Sequence, residues 1–181
     1  MDQPQIVRIS PVATRSNHRT VARIDRDLVR QKAADAARSA RKREIHSFHQ
    51  GDPDTLQRML NAIQPGSYVR PHRHLKPPKA ESIIVLQGSL AFIAFADDAS
   101  LDEAGCILID PARCLYGCDI RPGVWHTIFA LAPDTVVFEV KPGPYDPTTD
   151  KEFAPWSPPE GSPEAASFLA DIEDRFHRVT I

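Results

Sequence analysis

A chain of 181 residues, 41% hydrophobic and 25% charged, is long enough for one domain with its own apolar core and is neither disordered nor fibrous in composition. Its formal net charge of −2 excludes a global cationic pull toward nucleic acid or an anionic membrane. No apolar run approaches the roughly 20 residues of a transmembrane helix, and the polar stretch Met1–Val12 lacks the apolar core of a secretory signal, so a cytoplasmic protein with neither membrane nor nucleic acid as partner is expected.

In chain order, residues 1–20 mix Arg, Ser, Thr and Pro without periodicity and read as a tail or an edge strand. The segment 21–45 carries a helix. Asp25 is placed to cap it, and it runs from Arg26 to about Arg41 with a thin stripe of Leu28, Ala33, Ala36, Ala37 and Ala40. Arg38, Arg41, Lys42 and Arg43 then form a basic cluster, which reads as a solvated helix end rather than an anion-binding patch.

Residues 46–145 read as a barrel of short strands. Thr55–Ile63 alternates in part, offering Leu56, Leu60 and Ile63 to a core, and Pro65-Gly66 is a turn. Tyr68–His74 is a strand interrupted at Pro71, and Leu75–Lys79, with two consecutive prolines, has to be a loop. Ser82–Leu86 and Leu90–Phe95 flank Gln87-Gly88-Ser89, a hairpin signal. Cys106–Ile109 and Leu115–Ile120 are further strands. Trp125–Leu131 and Thr135–Val140 form a second predicted hairpin, turned at Ala132-Pro133-Asp134. About eight short strands without βαβ alternation predict an all-β core, an antiparallel sandwich or barrel. Seventeen prolines against eight glycines suit stiff connections between such strands.

From Pro142 to Pro163 the chain is Pro-rich and aromatic and reads as an ordered strap over the barrel. The last division, 146–181, joins most of that strap to a terminal helix capped by Ser162, with Pro163 in its first turn. Phe168, Leu169, Ile172, Phe176 and Val179 share one face of the helix. That stripe must be buried against the barrel or a second subunit, and a homodimer is expected.

The chemistry concentrates between Gly66 and Gly88. Side chains two residues apart on a strand point the same way, so His72 and His74 project together, about 7 Å apart along the strand. His126, after a Pro-Gly turn, can supply a third imidazole. Glu81 is a charged residue opening an apolar run, where a core residue would be cheaper. Three imidazoles and a carboxylate suit one divalent transition metal (Zn, Fe, Mn, Ni or Co) and leave one or two positions open for water or substrate. The alternative, a pair of exposed or internally satisfied histidines, is the commoner fate of an isolated His-x-His; Glu81 could also stand one step back, orienting an imidazole.

Gly66, His72-Arg73-His74, Glu81 and Gly88 in this order resemble the first cupin motif, and Arg121-Pro122-Gly123-Val124-Trp125-His126 resembles the second. The six residues between His74 and Glu81, where three or four are usual, depart from the pattern, as do Arg121 in place of proline and Ala130 in place of asparagine. More closely, Arg41 to Gly161 resembles the WbuC-type cupin-fold metalloproteins, through Phe48-His49, Leu56-Gln57-Arg58-Met59-Leu60-Asn61-Ala62, the Pro71-His72-Arg73-His74 run and the string from Phe138 to Gly161. The resemblance implies a bacterial cupin double-stranded β-helix (jelly-roll barrel) with a metal site, found among surface-polysaccharide genes and elsewhere.

Around that site, Arg58, Tyr68 and Arg70 are expected to line the mouth and grip an anionic substrate, with a structural or solvated role as the alternative. His49 is a candidate further ligand or an acid or base, or a satisfied structural histidine. Glu139 and Lys141 are expected to pair with each other. Cys106, Cys114 and Cys118, an odd number without a CxxC pair, read as reduced thiols in core or surface positions. The ligand is expected to be a small molecule, a sugar or sugar-derived acid, handled either by an enzyme or by a non-catalytic sensing module.

Overall fold

The computed structural model describes residues 5–180. Its elements are β1 (Gln5–Ser10), β2 (Ala13–Asn17), α1 (Arg26–Arg38), β3 (Arg43–Ser47), β4 (Leu56–Ile63), β5 (His72–Arg73), β6 (Glu81–Gln87), β7 (Leu90–Phe95), β8 (Ile107–Ile109), β9 (Gly117–Ile120), β10 (Trp125–Ala130), β11 (Thr135–Pro142), β12 (Glu152–Phe153) and α2 (Ala165–Thr180). One sheet has the order β1-β2-β3-β4-β11-β6-β9 and the other β12-β5-β10-β7-β8. The facing sets β4-β11-β6-β9 and β5-β10-β7-β8 are two interlocked Greek keys, a jelly roll, so the core is all-β with one helix before it and one after.

This topology corrects both expected hairpins. β6 and β7 do not pair with each other, nor do β10 and β11; each turn carries the chain from one sheet to the other. Gly88 sits at the first crossing with φ +79°, where a Cβ would stand 2.4 Å from Thr135 Oγ1, so the glycine is required by close approach as well as by conformation. β10 pairs instead with β7 and β5, and β11 with β4 and β6.

The apolar run of β7 is explained by burial on both faces. Leu90, Phe92 and Ala94 enter the barrel with Ile63, Ile83, Val137 and Ile128. Ala91, Ile93 and Phe95 face outward, where Leu169, Ile172 and Phe176 of α2 cover them. Each fully buried side chain of this size contributes about 1.5–3 kcal/mol. The α2 stripe is thus covered within the chain, and no second subunit is needed to bury it. The expected cap is not made: α2 begins at Ala165, whose N–H reaches the Ser162 carbonyl, while the Ser162 hydroxyl is buried without a partner.

α1 does begin at an Asp25 cap, whose carboxylate accepts from Leu28 N at 3.0 Å. It stops at Arg38, short of the expected Arg41, because Ser39 is already extended and β3 starts at Arg43 to pair with β4. Its buried face is Val29, Lys32, Ala33 and Ala36, packed on Leu60, Ala62 and Val136 of the large sheet. The buried Lys32 ammonium donates to Thr14 Oγ1 (3.1 Å) and Asp35 (2.7 Å). Thr14 and Ser16 in turn hold the two ring nitrogens of the fully buried His46, each at 2.8 Å. The first twenty residues therefore contain two paired strands, β1 at the edge of the large sheet and β2 inside it, parallel to β3. Leu56, expected in the core, is 44% exposed. No helix among the described residues is long and apolar enough to cross a membrane.

Candidate metal centre

His72 and His126 stand directly opposite each other on β5 and β10 of the small sheet, with ring centroids 4.6 Å apart. His74, two residues beyond His72, projects to the same side, 5.2 Å from its ring. Glu81 arrives from the other sheet as the first residue of β6, and its Oε2 lies 3.3 Å from both His74 Nε2 and His126 Nε2. The extra residues of the long His74-to-Glu81 interval are taken up by a small turn closed by the Leu75–Pro78 bridge, so the carboxylate still reaches the imidazoles.

All four side chains are buried, and one donor atom from each lies within 4.8 Å of all the others. Two donors bound to one ion at about 2.1 Å stand about 3–3.5 Å apart, as these do at the carboxylate. The three Nδ1 atoms face main-chain carbonyls: His72 that of Arg70 and His126 that of Val124, both at 2.9 Å, and His74 that of Asp150. Nδ1–H donation to a carbonyl leaves Nε2 as a bare lone pair directed into the cluster. His74 Nε2 and Glu81 Oε2 are buried without a hydrogen-bond partner, an arrangement that costs free energy unless a cation satisfies both. The residues present fit a divalent transition metal.

The electrostatics agree. Burial, with the charges of Lys151 and His126, pushes the His72 imidazole well below its ordinary range, keeping it a neutral ligand. Burial works to raise Glu81, but the adjoining His126 and His74 imidazoles and donation from Glu139 outweigh it and hold the carboxyl well below the usual range. Burial and the adjacent Glu81 charge push Glu139 up to about 8. Of these two neighbouring carboxyls, Glu139 keeps the proton and Glu81 stays an anion.

A cavity of about 370 Å³ opens beside the cluster, walled by β3, β4, β11 and the strap. Phe153 lines it, and its ring lies 6.3 Å from that of His72. Of the expected substrate groups, Arg70 lines the cavity, but its guanidinium is taken by Ser157 Oγ and by the carbonyls of Ser157 and Ala154 at 3.0–3.3 Å. Tyr68 lies outside, donating to the Pro158 carbonyl at 2.9 Å and packed edge-on against Phe168, so it pins the strap. Arg58 points to the opposite face of β4. Alternation sends Gln57, Met59 and Asn61 into the cavity, and Arg58 meets Asp54 at 3.8 Å outside it. His49 lines the cavity apart from the four donors; burial lowers its imidazole, and its Nδ1 accepts from Arg58 N at 3.0 Å.

Two ion pairs also differ from expectation. Lys141 pairs with Asp150 at 2.5 Å rather than with Glu139, which turns to Glu81. Arg43, read as part of a solvated helix end, is buried at the start of β3 and donates to Glu160, Ser67 and Tyr68. Cys114 is exposed at a left-handed turn, and Cys118 is partly buried against the barrel core. Asp150, which also accepts from Lys79 at 2.9 Å, and Lys151 are the functional residues that strand periodicity does not reveal. Their one sequence signal is an Asp-Lys pair inside an otherwise Pro-rich, aromatic run.

A family model described as "Domain of unknown function (DUF6016)" matches residues 24–107. Among solved structures, the capsular polysaccharide assembling protein CapF from Staphylococcus aureus is similar at 23% identity, over 60% of this chain and 28% of that one, with a TM-score of 0.49. KdgF from Halomonas sp. is similar at 16% identity over 59% of this chain and 83% of its own, TM-score 0.45. A cupin 2 domain-containing protein from Halorhodospira halophila is similar at 17% identity over 75% and 81%, TM-score 0.43. This chain spans less than a third of the length of CapF. A comparison with curated proteins finds no match. With the strand order above, the architecture has a name. The fold is that of a cupin. In this fold the histidines of the small sheet meet the glutamate of the large one inside the barrel.

Proposed function

We propose that this chain is a metal-dependent enzyme of the WbuC type. It holds one divalent transition metal on His72, His74, Glu81 and His126 and acts on a small polar metabolite, a sugar or sugar-derived acid of bacterial surface-polysaccharide metabolism. The observation that carries this reading is the convergence of three Nε2 lone pairs and one carboxylate oxygen, with every Nδ1 already facing a carbonyl. When bound, such an ion supplies Lewis acidity toward a carbonyl or an acidified water. The chain's own groups do the remainder: Phe153 and Met59 wall the cavity, Asn61 and Gln57 offer it polar contacts, and Glu139 holds a proton beside Glu81.

Elemental analysis tests the metal: close to one transition-metal ion per chain is expected, and none in the His72→Ala, His74→Ala double variant with its far-ultraviolet spectrum intact. Metal retained by that variant would sink the assignment. Turnover is tested with a library of sugars and keto acids while the metal is varied. Binding without any chemical change favours a sensing module instead.

A further inference from the structure

The strap contributes more than cover. Phe153 pairs with His72 and Glu152 with Arg73, so Phe153 faces the barrel interior and Glu152 faces out. Two residues before Phe153, Lys151 falls on the interior side and lines the same cavity, half-buried. The other cavity cations are engaged: Lys141 by Asp150, Arg43 and Arg41 by Glu160, Arg70 by strap carbonyls and Ser157. Among the described residues, Lys151 makes no hydrogen bond and no ion pair, although its charge is felt at His72 and Glu139. An amino group held in a cavity without a partner is a donor set aside for a ligand.

Charge balance points the same way. Lys79, Lys141 and Lys151 face the carboxylates of Asp150 and Glu81, with Glu139 holding its proton, so cationic groups already outnumber anionic ones while no ion is bound. A divalent cation on Glu81 and the histidines adds two positive charges that no protein group offsets. On the opposite wall, Asn61 Oδ1 is a buried acceptor without a partner, suited to a hydroxyl donor.

Resting on the proposed metal site, we propose that the cavity is built for an anionic polyhydroxylated metabolite, its acid group held by Lys151 and a hydroxyl by Asn61, presented toward the metal cluster. A carboxylate and a phosphate share this chemistry, and binding experiments separate them. A lysine ammonium takes either as a point charge. The cavity volume falls in the range of small-ligand sites.

Isothermal titration of D-galacturonate, D-gluconate, glucose 6-phosphate and neutral D-galactose into metal-loaded protein tests this. At least one anion is expected to bind at least tenfold tighter than galactose, with affinity falling as salt rises. Lys151→Met should lose at least tenfold of that affinity at unchanged metal content, and Lys151→Arg should retain part of it. Preference for the sugar acids identifies a carboxylate and preference for glucose 6-phosphate a phosphate; either supports the site. Galactose binding as well as the acids, no binding of any anion, or full affinity in a folded Lys151→Met protein would overturn it. Wild-type protein that takes up no metal yet binds the acids through Lys151 would retain the anion site and remove the metal reading; loss of both would remove both.

Discussion

The main-chain carbonyl of Asp150 accepts the Nδ1 proton of His74, so the strap fixes the tautomer of a ligand that lies 76 residues earlier in the chain. The carboxylate of the same residue joins Lys79 and Lys141, whose side chains are 3% and 5% exposed. One residue thus links the strap, the loop before β6, the end of β11 and the His/Glu cluster.

Replacing Asp150 by alanine strands two buried ammonium groups. Removing one partner of a buried ion pair costs about 3–5 kcal/mol, and loosening an imidazole's orienting contact weakens metal binding about 10–100-fold. Asp150→Ala is expected to show both losses, in denaturant unfolding and in competition with a metal-binding dye. Asp150→Asn, which keeps a carbonyl oxygen for one lysine, should fall between. Wild-type metal affinity in a folded Asp150→Ala protein would show that the strap does not orient His74.

His46 sets an acid limit on stability from the far side of the large sheet. Burial, helped by the Lys32 charge and opposed by Asp35, lowers its imidazole to about 4, while the unfolded chain titrates near 6.5. Between those values the unfolded state binds a proton that the folded state refuses, so stability is complete above pH 6.5 and falls as pH drops toward 4. The loss is about 3 kcal/mol. Chemical unfolding at pH 7 and pH 4.5 should show a smaller acid-induced drop in His46→Gln than in the wild type; equal slopes would exclude His46 as the source.

Phe176 anchors α2 to the small sheet, fully buried and edge-on to Phe129 at 5.6 Å. Truncation to alanine removes a large aromatic from a packed site, at a cost of about 3–5 kcal/mol. The expected result is a fall in unfolding free energy of that size together with faster amide exchange along α2. A change below 1 kcal/mol would mean that the helix is held elsewhere.

Much of the candidate cluster is legible in the sequence because its members obey short-range rules. His72 and His74 share a face by alternation, and His126 follows a turn that starts a strand. Sheet membership was not legible, because Gly88 and the Ala132-Pro133-Asp134 turn look alike whether a chain doubles back on its neighbour or crosses to the opposite sheet. Arg58 was misplaced for a related reason. β4 is covered on both faces, by α1 on one and by the cavity on the other, so alternation separates two sets of residues without saying which set faces inward. Asp150 and Lys151 acquire their roles only when the strap folds back onto β5, a contact between distant segments that no local pattern encodes.

Within the strap, Glu152 and Phe153 are the residues that pair with β5, and they cover the side of the cluster where His72 lies. An ion seated there would be released faster when that segment transiently peels away. Its exchange with a strong chelator would then proceed at the pace of local opening, levelling off as chelator concentration rises. Cutting the Arg73–Glu152 latch, whose nitrogen and oxygen atoms stand 2.7 Å apart, would quicken the exchange without altering a single ligand.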